Sequence, residues 1–473
     1  MKNRIISLYF AAITLLFYCA SSCQPYDKQD CVNNTESSIY ESIGWVYGNW
    51  WEIFNDPKLN ALIEESLREN PTLKIAKDRI EVAKLRVGEA KAFLFPTLYF
   101  NGDSTRFVQS ETGIFGSLPP NSGFPLKYTQ TEINLDFEYE FDFFEKNKNQ
   151  WRAARGELQA VQIEAMITRL ILSLSVAESY FKLQTDLIRK NLAEDFTENR
   201  NKIAALTRQR TKKGLATNIT KHFSENDLLS AREQIILRTR DIALDEHLLQ
   251  SLIARNAPIN AADFYTSLED LEGVSNHVYD VYLNHLPLDL IGFRADIQAS
   301  LQRIRAFGFH IKAAEALFYP NINLVALTGL QTIHLPQLLK GESLYGMWGP
   351  ALHLPIFDGG LLKANLGLRK MDYQISVDEY ESKLINAIRQ ALDAKTILVA
   401  LQMQLKNAEE IRIKTYLTFS LVEKKLQKKL ASNFDLFEAE VDFLSAKDHE
   451  AKLQGELMQA LLNLIRTVGG GYK

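Results

Sequence analysis

The segment from Thr131 to Phe144, TEINLDFEYEFDFF, constrains the fold of this chain more than any other. Apolar side chains occupy its odd positions, namely Ile133, Leu135, Phe137, Tyr139, Phe141 and Phe143. The even positions carry Glu132, Asn134, Asp136, Glu138, Glu140 and Asp142. A strict period of two predicts a β-strand with one apolar face and one acidic face, because successive side chains of a strand point to opposite sides.

The length of this predicted strand suits a membrane. The stretch from Ile133 to Phe143, at about 3.3 Å per residue and a tilt of about 40°, covers roughly 28 Å, close to the thickness of the hydrocarbon core. A surface strand of a soluble sheet shows the same alternation. The flanking sequence must therefore decide between the two interpretations.

The N-terminus predicts export from the cytoplasm. Lys2 and Arg4 precede a mostly apolar run, residues 5–18, which is too short to span a bilayer and is typical of a secretory signal. The small residues before Cys23 resemble a bacterial lipobox, although Ala20 stands where that pattern prefers leucine. We therefore expect a signal peptide over residues 1–22 and a lipid attached to Cys23. Ordinary cleavage with an unmodified cysteine is the alternative.

Composition and cysteine usage further limit the class of protein to which this chain can belong. The 473 residues carry 54 basic and 58 acidic side chains, a formal net charge of −4, so no basic surface for nucleic acid is indicated. Cys19 lies in the predicted leader and Cys23 in the predicted anchor, which leaves Cys31 without an intrachain partner. No disulfide framework is expected, and packing must hold the fold.

The mature chain reads as two copies of one pattern. Residues 90–96, AKAFLFP, recur as residues 314–320, AEALFYP, and residues 214–231 match 429–446 at 8 of 18 positions. Each copy is predicted as helix, β-hairpin, long helix, short break and helix. We expect a tether over 23–44, a first repeat over 45–256, a linker over 257–286 and a second repeat over 287–473. The first helix is expected to run to Phe95 and to stop at Pro96.

The number of strands has a physical consequence. In lipid every backbone polar group needs a partner, so a membrane sheet must close, and closed barrels need at least about eight strands. Four strands per chain cannot close alone. If they span a membrane, the chain must form a homo-oligomer, and its helices of 50 or more residues extend roughly 75 Å or more away from the bilayer.

Three motifs resemble the outer-membrane efflux protein family. They are residues 286–297, LPLDLIGFRADI, residues 355–360, PIFDGG, and the doubled Leu-Ala turn at residues 215–216 and 430–431. The resemblance implies a mainly α-helical protein with a membrane β-barrel, in which a homotrimer closes twelve strands above a long helical tunnel. It also implies a lipid-anchored outer-membrane channel that exports passively, coupled to an inner-membrane transporter through a periplasmic adaptor. Ala295, Glu145 and Lys429 depart from the family pattern, the last two at positions where it has glycine.

The resemblance also implies where the functional residues lie. Asp435 and Glu438 match the acids of the family's periplasmic gate, and a helix N-cap and a solvated helix residue are their alternatives. The adaptor would dock on the turns, at Gly214, Leu215, Ala216, Leu430 and Ala431, where simple helix-turn packing competes. The acids Glu132, Asp136, Glu138, Glu140 and Asp142 would line the lumen, unless theirs is merely a solvated face.

Enzymatic chemistry is not indicated. The eight histidines are scattered without metal-ligand spacing, and no phosphate-binding loop is present. Residues 341–346, GESLYG, miss the spacing of a nucleophile elbow by one residue. We expect no catalytic residue, metal or cofactor. The rival hypothesis is a periplasmic coiled-coil lipoprotein with a structural or adhesive role.

Overall fold

The computed structural model describes residues 49–113, 125–283 and 294–469. The predicted signal peptide, the predicted lipid attachment at Cys23 and Cys31 all lie outside these ranges. So do most of the loop between the first two strands and most of the LPLDLIGFRADI motif.

The predicted helix that leads to Pro96 is broken in two. A 3-10 turn at Trp50–Phe54 precedes α1, Pro57–Glu69, and α2, Pro71–Ala92. Pro71 has no N–H to continue α1, and the Asn70 side chain accepts a hydrogen bond from the Thr72 N–H at 2.8 Å, which caps α2. The expectation of one continuous helix was therefore wrong, and α2 ends three residues before Phe95.

The remaining helices repeat in the predicted order. The first half continues with α3, Lys146–Lys212, and α4, Asn218–Leu252, followed by α5, Leu268–Leu283. The second half contains α6, Ala295–Ala316, α7, Leu361–Gln427, and α8, Asn433–Val468. The helices α3 and α7 have 67 residues each, so each extends for about 100 Å. Part of α3 is apolar enough to cross a membrane, but half of that part is buried within the chain, as in a core helix.

Four antiparallel strands form one sheet. They are β1, Thr97–Val108, β2, Lys127–Phe141, β3, Asn321–Thr332, and β4, Leu344–His353, in the order β1-β2-β3-β4. The two hairpins meet where β2 pairs with β3. The opening segment is confirmed as a strand, although it ends at Phe141 instead of Phe143. The outer edges of β1 and β4 have no partner among the described strands.

The main apolar core lies in the helical part and joins both halves. Trp51, Phe181, Leu249 and Leu461 are among its buried members, on the N-terminal turn, α3, α4 and α8. Polar bonds fix the N-terminal segment on α3: Trp50 Nε1 donates to Ser173 Oγ at 2.9 Å, and Tyr180 Oη donates to Asp56 Oδ2 at 2.5 Å. Because no disulfide is expected, burial of these side chains must provide most of the stability.

A buried charge cluster interrupts this packing between α3 and α4. Asp186 and Asp245 are both buried; Asp245 Oδ1 binds Lys182 Nζ at 2.6 Å, and Asp186 Oδ1 lies 3.5 Å from Arg238 Nη1. Burial and the neighbouring Asp245 carboxylate raise the pKa of Asp186 to about 6. In the folded state the Asp186 carboxyl therefore keeps its proton up to about pH 6. In the unfolded chain, where its pKa is 3.8, it loses that proton at lower pH.

The Asp186→Asn variant should make the protein more stable at neutral pH. Asp186 contributes stability that is complete below its unfolded pKa and is lost as the pH rises through its raised folded pKa, from about pH 4 to pH 6. Asparagine does not ionise, so we expect the melting temperature to rise by roughly 2 °C at pH 7.5 and to stay unchanged at pH 4.

Melting curves by circular dichroism at both pH values measure this difference. Asp448→Asn is the matched control, because Asp448 forms two hydrogen bonds with Arg189, at 2.8 and 2.9 Å, and should not gain stability when neutralised. A gain of the same size at pH 4 would contradict the assignment.

Candidate functional site

The polar face of β2 is tied to all three other strands. Glu132 accepts a hydrogen bond from Gln331 Nε2 on β3 at 3.1 Å and another from the hydroxyl of Tyr345 on β4. Asp136 accepts one from Asn101 Nδ2 on β1 at 2.6 Å. Side chains that bond across neighbouring strands must share a face. The acidic face predicted from the sequence is therefore present.

Two further acids belong to this face. Glu138 Oε1 accepts a hydrogen bond from Asn323 Nδ2 on β3 at 3.4 Å. Glu140 Oε1 lies 2.6 Å from Lys146 Nζ, at the start of α3. The acidic face thus ends where the long helix begins, and Lys146 connects the two.

Asp142 lies beyond the strand and has another role in the structure. Its carboxylate accepts hydrogen bonds from the backbone N–H groups of Asn147, at 3.1 Å, and Lys148, at 2.7 Å, in the first turn of α3. Asp358 does the same for α7 through Gly360 and Leu362, at 2.9 and 2.7 Å. A carboxylate at a helix N-terminus satisfies N–H groups that have no helical partner. The strand face therefore stops at Glu140.

The bend between sheet and helix does not require glycine. Gly360 adopts a left-handed φ of 93° before α7, and Glu145 adopts a φ of 57° at the same point before α3. The Glu145 carboxylate binds Lys148 Nζ at 2.9 Å and Arg152 Nη1 at 2.7 Å, and these contacts lower its pKa. Local ion pairing accompanies the conformation that an L-residue rarely adopts.

The opposite face of the sheet is apolar across all four strands. The register aligns Phe100 with Leu135, and Phe137 with Ala326 and Trp348. Phe100 is 71% exposed and Trp348 is 79% exposed in the isolated chain. A broad apolar surface of this kind requires lipid or a protein partner.

The two hairpins contribute unequally to the acidic face, a difference that was not predicted from the sequence. Glu138 pairs with Val325 and Asp136 with Leu327, and Leu327 pairs in turn with Met347. The strands of the second hairpin contribute only uncharged or apolar side chains and no carboxylate to that face. Carboxylates are concentrated on the first hairpin.

Gly329 on β3 leaves room for the Tyr345 side chain of β4 to pass over β3 and reach β2. Gly329 stands between Asn134 on β2 and Tyr345 on β4 in the register, and the Tyr345 hydroxyl passes it to reach Glu132. A Cβ on Gly329 would come within 2.3 Å of the Ile133 carbonyl oxygen. Only glycine permits this close approach. Sequence reasoning missed Gly329 and Tyr345, because Gly329 belongs to no motif and residues 341–346, which include Tyr345, were compared only with a nucleophile elbow.

The turn that joins α3 to α4 and the turn that joins α7 to α8 have the same geometry. Gly214 has a φ of 75° and Lys429 has a φ of 61°, so lysine retains the left-handed turn that the family pattern gives to glycine. The residue that follows each of these closes its turn with the same hydrogen bond. The Leu215 N–H donates to the Arg210 carbonyl and the Leu430 N–H donates to the Lys425 carbonyl, both at 2.8 Å.

The predicted docking residues lie at these turns. Leu215 is 67% exposed and Leu430 is 74% exposed, whereas Ala216 and Ala431 are half-buried. The Arg210 guanidinium lies 5.8 Å from the ring centre of Phe434, which places the two turns side by side at one end of the molecule. Two similar apolar tips are thus presented together.

The two predicted gate acids occupy different environments. Asp435 forms a capping box with Ser432, accepting hydrogen bonds from the Ser432 N–H and hydroxyl at 2.8 Å each, and these bonds lower its pKa. Glu438 lies 3.6 Å from Arg200 on α3, and the same guanidinium lies 3.6 Å from Asp227 on α4. Asp435 therefore supports the helix start, whereas Glu438 takes part in a contact between helices.

Metal chemistry finds no support in the part of the chain that the structure describes. No group of three or more His, Cys, Asp or Glu side chains there could hold a metal ion. The polar features described above are a charged strand face, two turns and a bridging arginine. Arg200 was not predicted, since an isolated arginine in a long helix gives no sequence signal.

Comparison with known proteins agrees with this architecture. The profile of the family described as Outer membrane efflux protein matches residues 62–255 and 286–470. The multidrug resistance outer membrane protein MdtQ of Escherichia coli O157:H7 is 26% identical over 444 residues, covering 91% of this chain and 89% of MdtQ. The probable efflux pump outer membrane protein TtgC of Pseudomonas putida is 26% identical over 89% of this chain and 85% of its own length.

Solved structures show the same fold. The outer membrane protein VceC of Vibrio cholerae superimposes with a TM-score of 0.76 at 28% identity, over 90% of this chain and 99% of VceC. The CmeC outer membrane channel of Campylobacter jejuni also gives 0.76, at 20% identity, over 90% of this chain and 88% of CmeC.

Gly329→Ala should destabilise the sheet, because the added methyl group overlaps the backbone of β2. We expect a loss of about 1–3 kcal/mol in the free energy of unfolding, typical of overpacking. The thermal melt and the folded fraction on a heat-modifiability gel report it. Gly349→Ala on β4 is the control, since nothing lies within 4 Å of its added Cβ. Equal melting temperatures for the two variants would contradict the close approach.

Proposed function

The chain belongs to the outer membrane efflux protein family, and from that premise we propose that three copies of it form a passive export duct. The duct would receive its cargo from an inner-membrane transporter through a periplasmic adaptor. Lipid attached to Cys23 would anchor each copy in the outer membrane. The comparisons support an outer-membrane efflux channel, and the trimer, the adaptor and the anchor are our proposals.

One observation carries the proposal: the sheet has an apolar face and two edge strands without a described partner. In a membrane the N–H and C=O groups of β1 and β4 must find partners, and β4 of one copy can pair with β1 of the next. Four strands from each of three copies would close a barrel of twelve strands, within the range of known barrels.

The acidic face would then line the water-filled interior. In each copy, Glu132, Asp136, Glu138 and Glu140 of β2 would point toward the lumen. Threefold repetition places their carboxylates around one narrow passage with low-dielectric walls, which raises the local concentration of cations. The pore should therefore prefer cations to anions.

The long helices would form the periplasmic tunnel, with the turns at its far end. The exposed Leu215 and Leu430 offer paired apolar contacts for the adaptor, with Gly214, Ala216 and Ala431 shaping the surface around them. Asp435 and Glu438 stand just past the second turn, where threefold repetition would bring like charges near the axis. Since hydrogen bonds lower the pKa of Asp435, its carboxylate stays ionised at neutral pH.

Neutralising lumen acids should reduce cation selectivity. The double variant Asp136→Asn/Glu138→Gln removes six charges from a trimer, and we expect the potassium-to-chloride permeability ratio to fall by about twofold or more. Reversal potentials of single channels in a salt gradient measure it. Glu69→Gln/Glu81→Gln, on α1 and α2, is the control and should leave the ratio unchanged. Purified protein that forms no pores at all would favour the rival periplasmic lipoprotein.

The gate hypothesis predicts that Asp435→Ala raises the conductance of the isolated channel, because it removes the capping box that holds the start of α8 beside the axis. Thr220 is the matched control, since it occupies the same capping position in the first half, where the Thr217 hydroxyl accepts from its N–H at 3.2 Å. Thr220→Ala should leave the conductance unchanged. Equal conductance of Asp435→Ala and wild type would remove Asp435 from the gate.

A further inference from the structure

A groove on the surface of the packed helices has the size of a ligand site. We call the helices that line it, α2, α3, α6 and α7, the helical wall. The groove is lined by residues of α2, α3 and α6 and by Arg369 of α7, and its volume is about 830 Å³. Sites for small organic molecules occupy roughly 300–1,000 Å³. We call it the basic groove, after the side chains described below.

Its floor is apolar and built from short side chains. The apolar residues that line it include Val82, Ala83, Ala153, Val161, Ala306 and Phe307. Small residues let the three helices approach closely while leaving open space above them. The floor therefore offers apolar contact to a flat or branched hydrocarbon body.

Basic side chains outnumber acidic ones around this floor. The charged residues are Arg79, Arg86, Arg303 and Arg369 against Glu157 and Glu164. Arg303 is neutralised within the chain, because its guanidinium lies 2.7 Å from Glu164 Oε1 and 3.4 Å from Glu157 Oε1. Arg369 Nη1 lies 3.5 Å from Asp372 Oδ2. Most of the positive charge left over belongs to α2.

Arg79 and Arg86 supply that charge. Neither forms an ion pair with any residue in the described ranges, and both are exposed. They are seven residues apart, which is two helical turns or about 10 Å along the same side of α2. Two unpaired guanidinium groups at this spacing can bind one acidic group together or two acidic groups separately.

His310 does not add to this charge at neutral pH. Burial, together with the nearby Arg369, lowers its pKa below the ordinary histidine value. Asp372 and Glu157 act in the opposite direction but more weakly. The imidazole is therefore neutral and contributes an uncharged, flat surface beside the floor.

The basic groove opens on the same side of the wall as the acidic face of the sheet. Lys146, which binds Glu140 on that face, is followed along α3 by Gln150, Glu157 and Glu164, all of which line the groove. These residues lie 4, 11 and 18 positions after Lys146, close to whole turns of a helix with about 3.6 residues per turn. They therefore share one face of α3 with Lys146.

We propose that the basic groove binds amphipathic organic anions, namely compounds with an aromatic or branched apolar body and a sulfonate or carboxylate. The apolar floor takes the body, and Arg79 and Arg86 take the acid. That such anions are cargo in transit rests on the proposed function, since only then does this side of the wall face the lumen. The carboxylates of the barrel would repel such anions, so the groove would bind them more strongly than the acidic face does.

The test uses two dyes with the same body. The probes are 1-anilinonaphthalene-8-sulfonate and the uncharged N-phenyl-1-naphthylamine, titrated by fluorescence against the full-length protein in lipid nanodiscs. In Arg79→Gln/Arg86→Gln we expect sulfonate affinity to fall by about tenfold, the loss of one or two charge-assisted contacts, with the affinity for the neutral amine unchanged.

The matched control lies on the same helix. Lys77→Gln/Lys84→Gln has the same spacing and the same charge change, but neither lysine lines the groove, so its sulfonate affinity should equal that of the wild type. Arg79→Lys/Arg86→Lys retains the charge and should keep most of the affinity. These variants separate a local site from a general attraction to positive charge.

Three results would overturn the proposal. They are unchanged sulfonate binding in the arginine variant, an equal loss in the lysine control, and an equal loss of both dyes in the arginine variant. Single-channel recordings on the same samples keep this inference apart from the duct function. Pores without sulfonate binding would contradict only the proposed anion site. Sulfonate binding without pores would support the site and contradict the proposed duct.

Discussion

Unpaired backbone groups on the two edge strands control the rest of this structure. The meander β1-β2-β3-β4 satisfies its inner strands and leaves β1 and β4 without a described partner. In water such edges invite aggregation, and in lipid each unpaired group costs several kcal/mol. The apolar face, with Trp348 and Phe100 exposed, indicates lipid. A closed sheet built from three copies, as we propose, would resolve both problems and would make assembly a condition of folding in the membrane.

Charge changes sign along one side of the wall. The first hairpin places carboxylates on the polar face of the sheet, and the helices below it carry an excess of arginine around the basic groove. The Lys146 to Glu140 contact, at 2.6 Å, marks the boundary. A molecule that moves past this point passes from a cationic surface to an anionic one. An anion is therefore attracted more strongly by the groove than by the acidic face, and a cation shows the opposite preference.

The duplication preserved geometry more strictly than sequence. Both long helices have 67 residues, both are preceded by an aspartate that caps their first turn, and both are followed, two residues after their end, by a left-handed residue. Glu145 and Lys429 adopt positive φ at positions where the family pattern has glycine. The conformation is maintained by hydrogen bonds and ion pairs around it, such as the bond from the Leu430 N–H to the Lys425 carbonyl at 2.8 Å. Tertiary and local contacts can thus impose a turn on a residue that disfavours it.

The sequence by itself determined the periodic features. Alternation fixed the β2 strand and its acidic face, and the repeated segments fixed the order of the elements, because period and repetition are local properties that survive without tertiary information. Only the tertiary structure decided how the hairpins pair through β2 and β3, which brings Gly329 beside Asn134 and lets Tyr345 reach Glu132. It also decided that Arg200 bridges Asp227 and Glu438, and that Arg79, Glu157 and His310 meet in one groove. Contacts between residues far apart in the chain depend on helix packing and strand register, and neither leaves a periodic mark in the sequence.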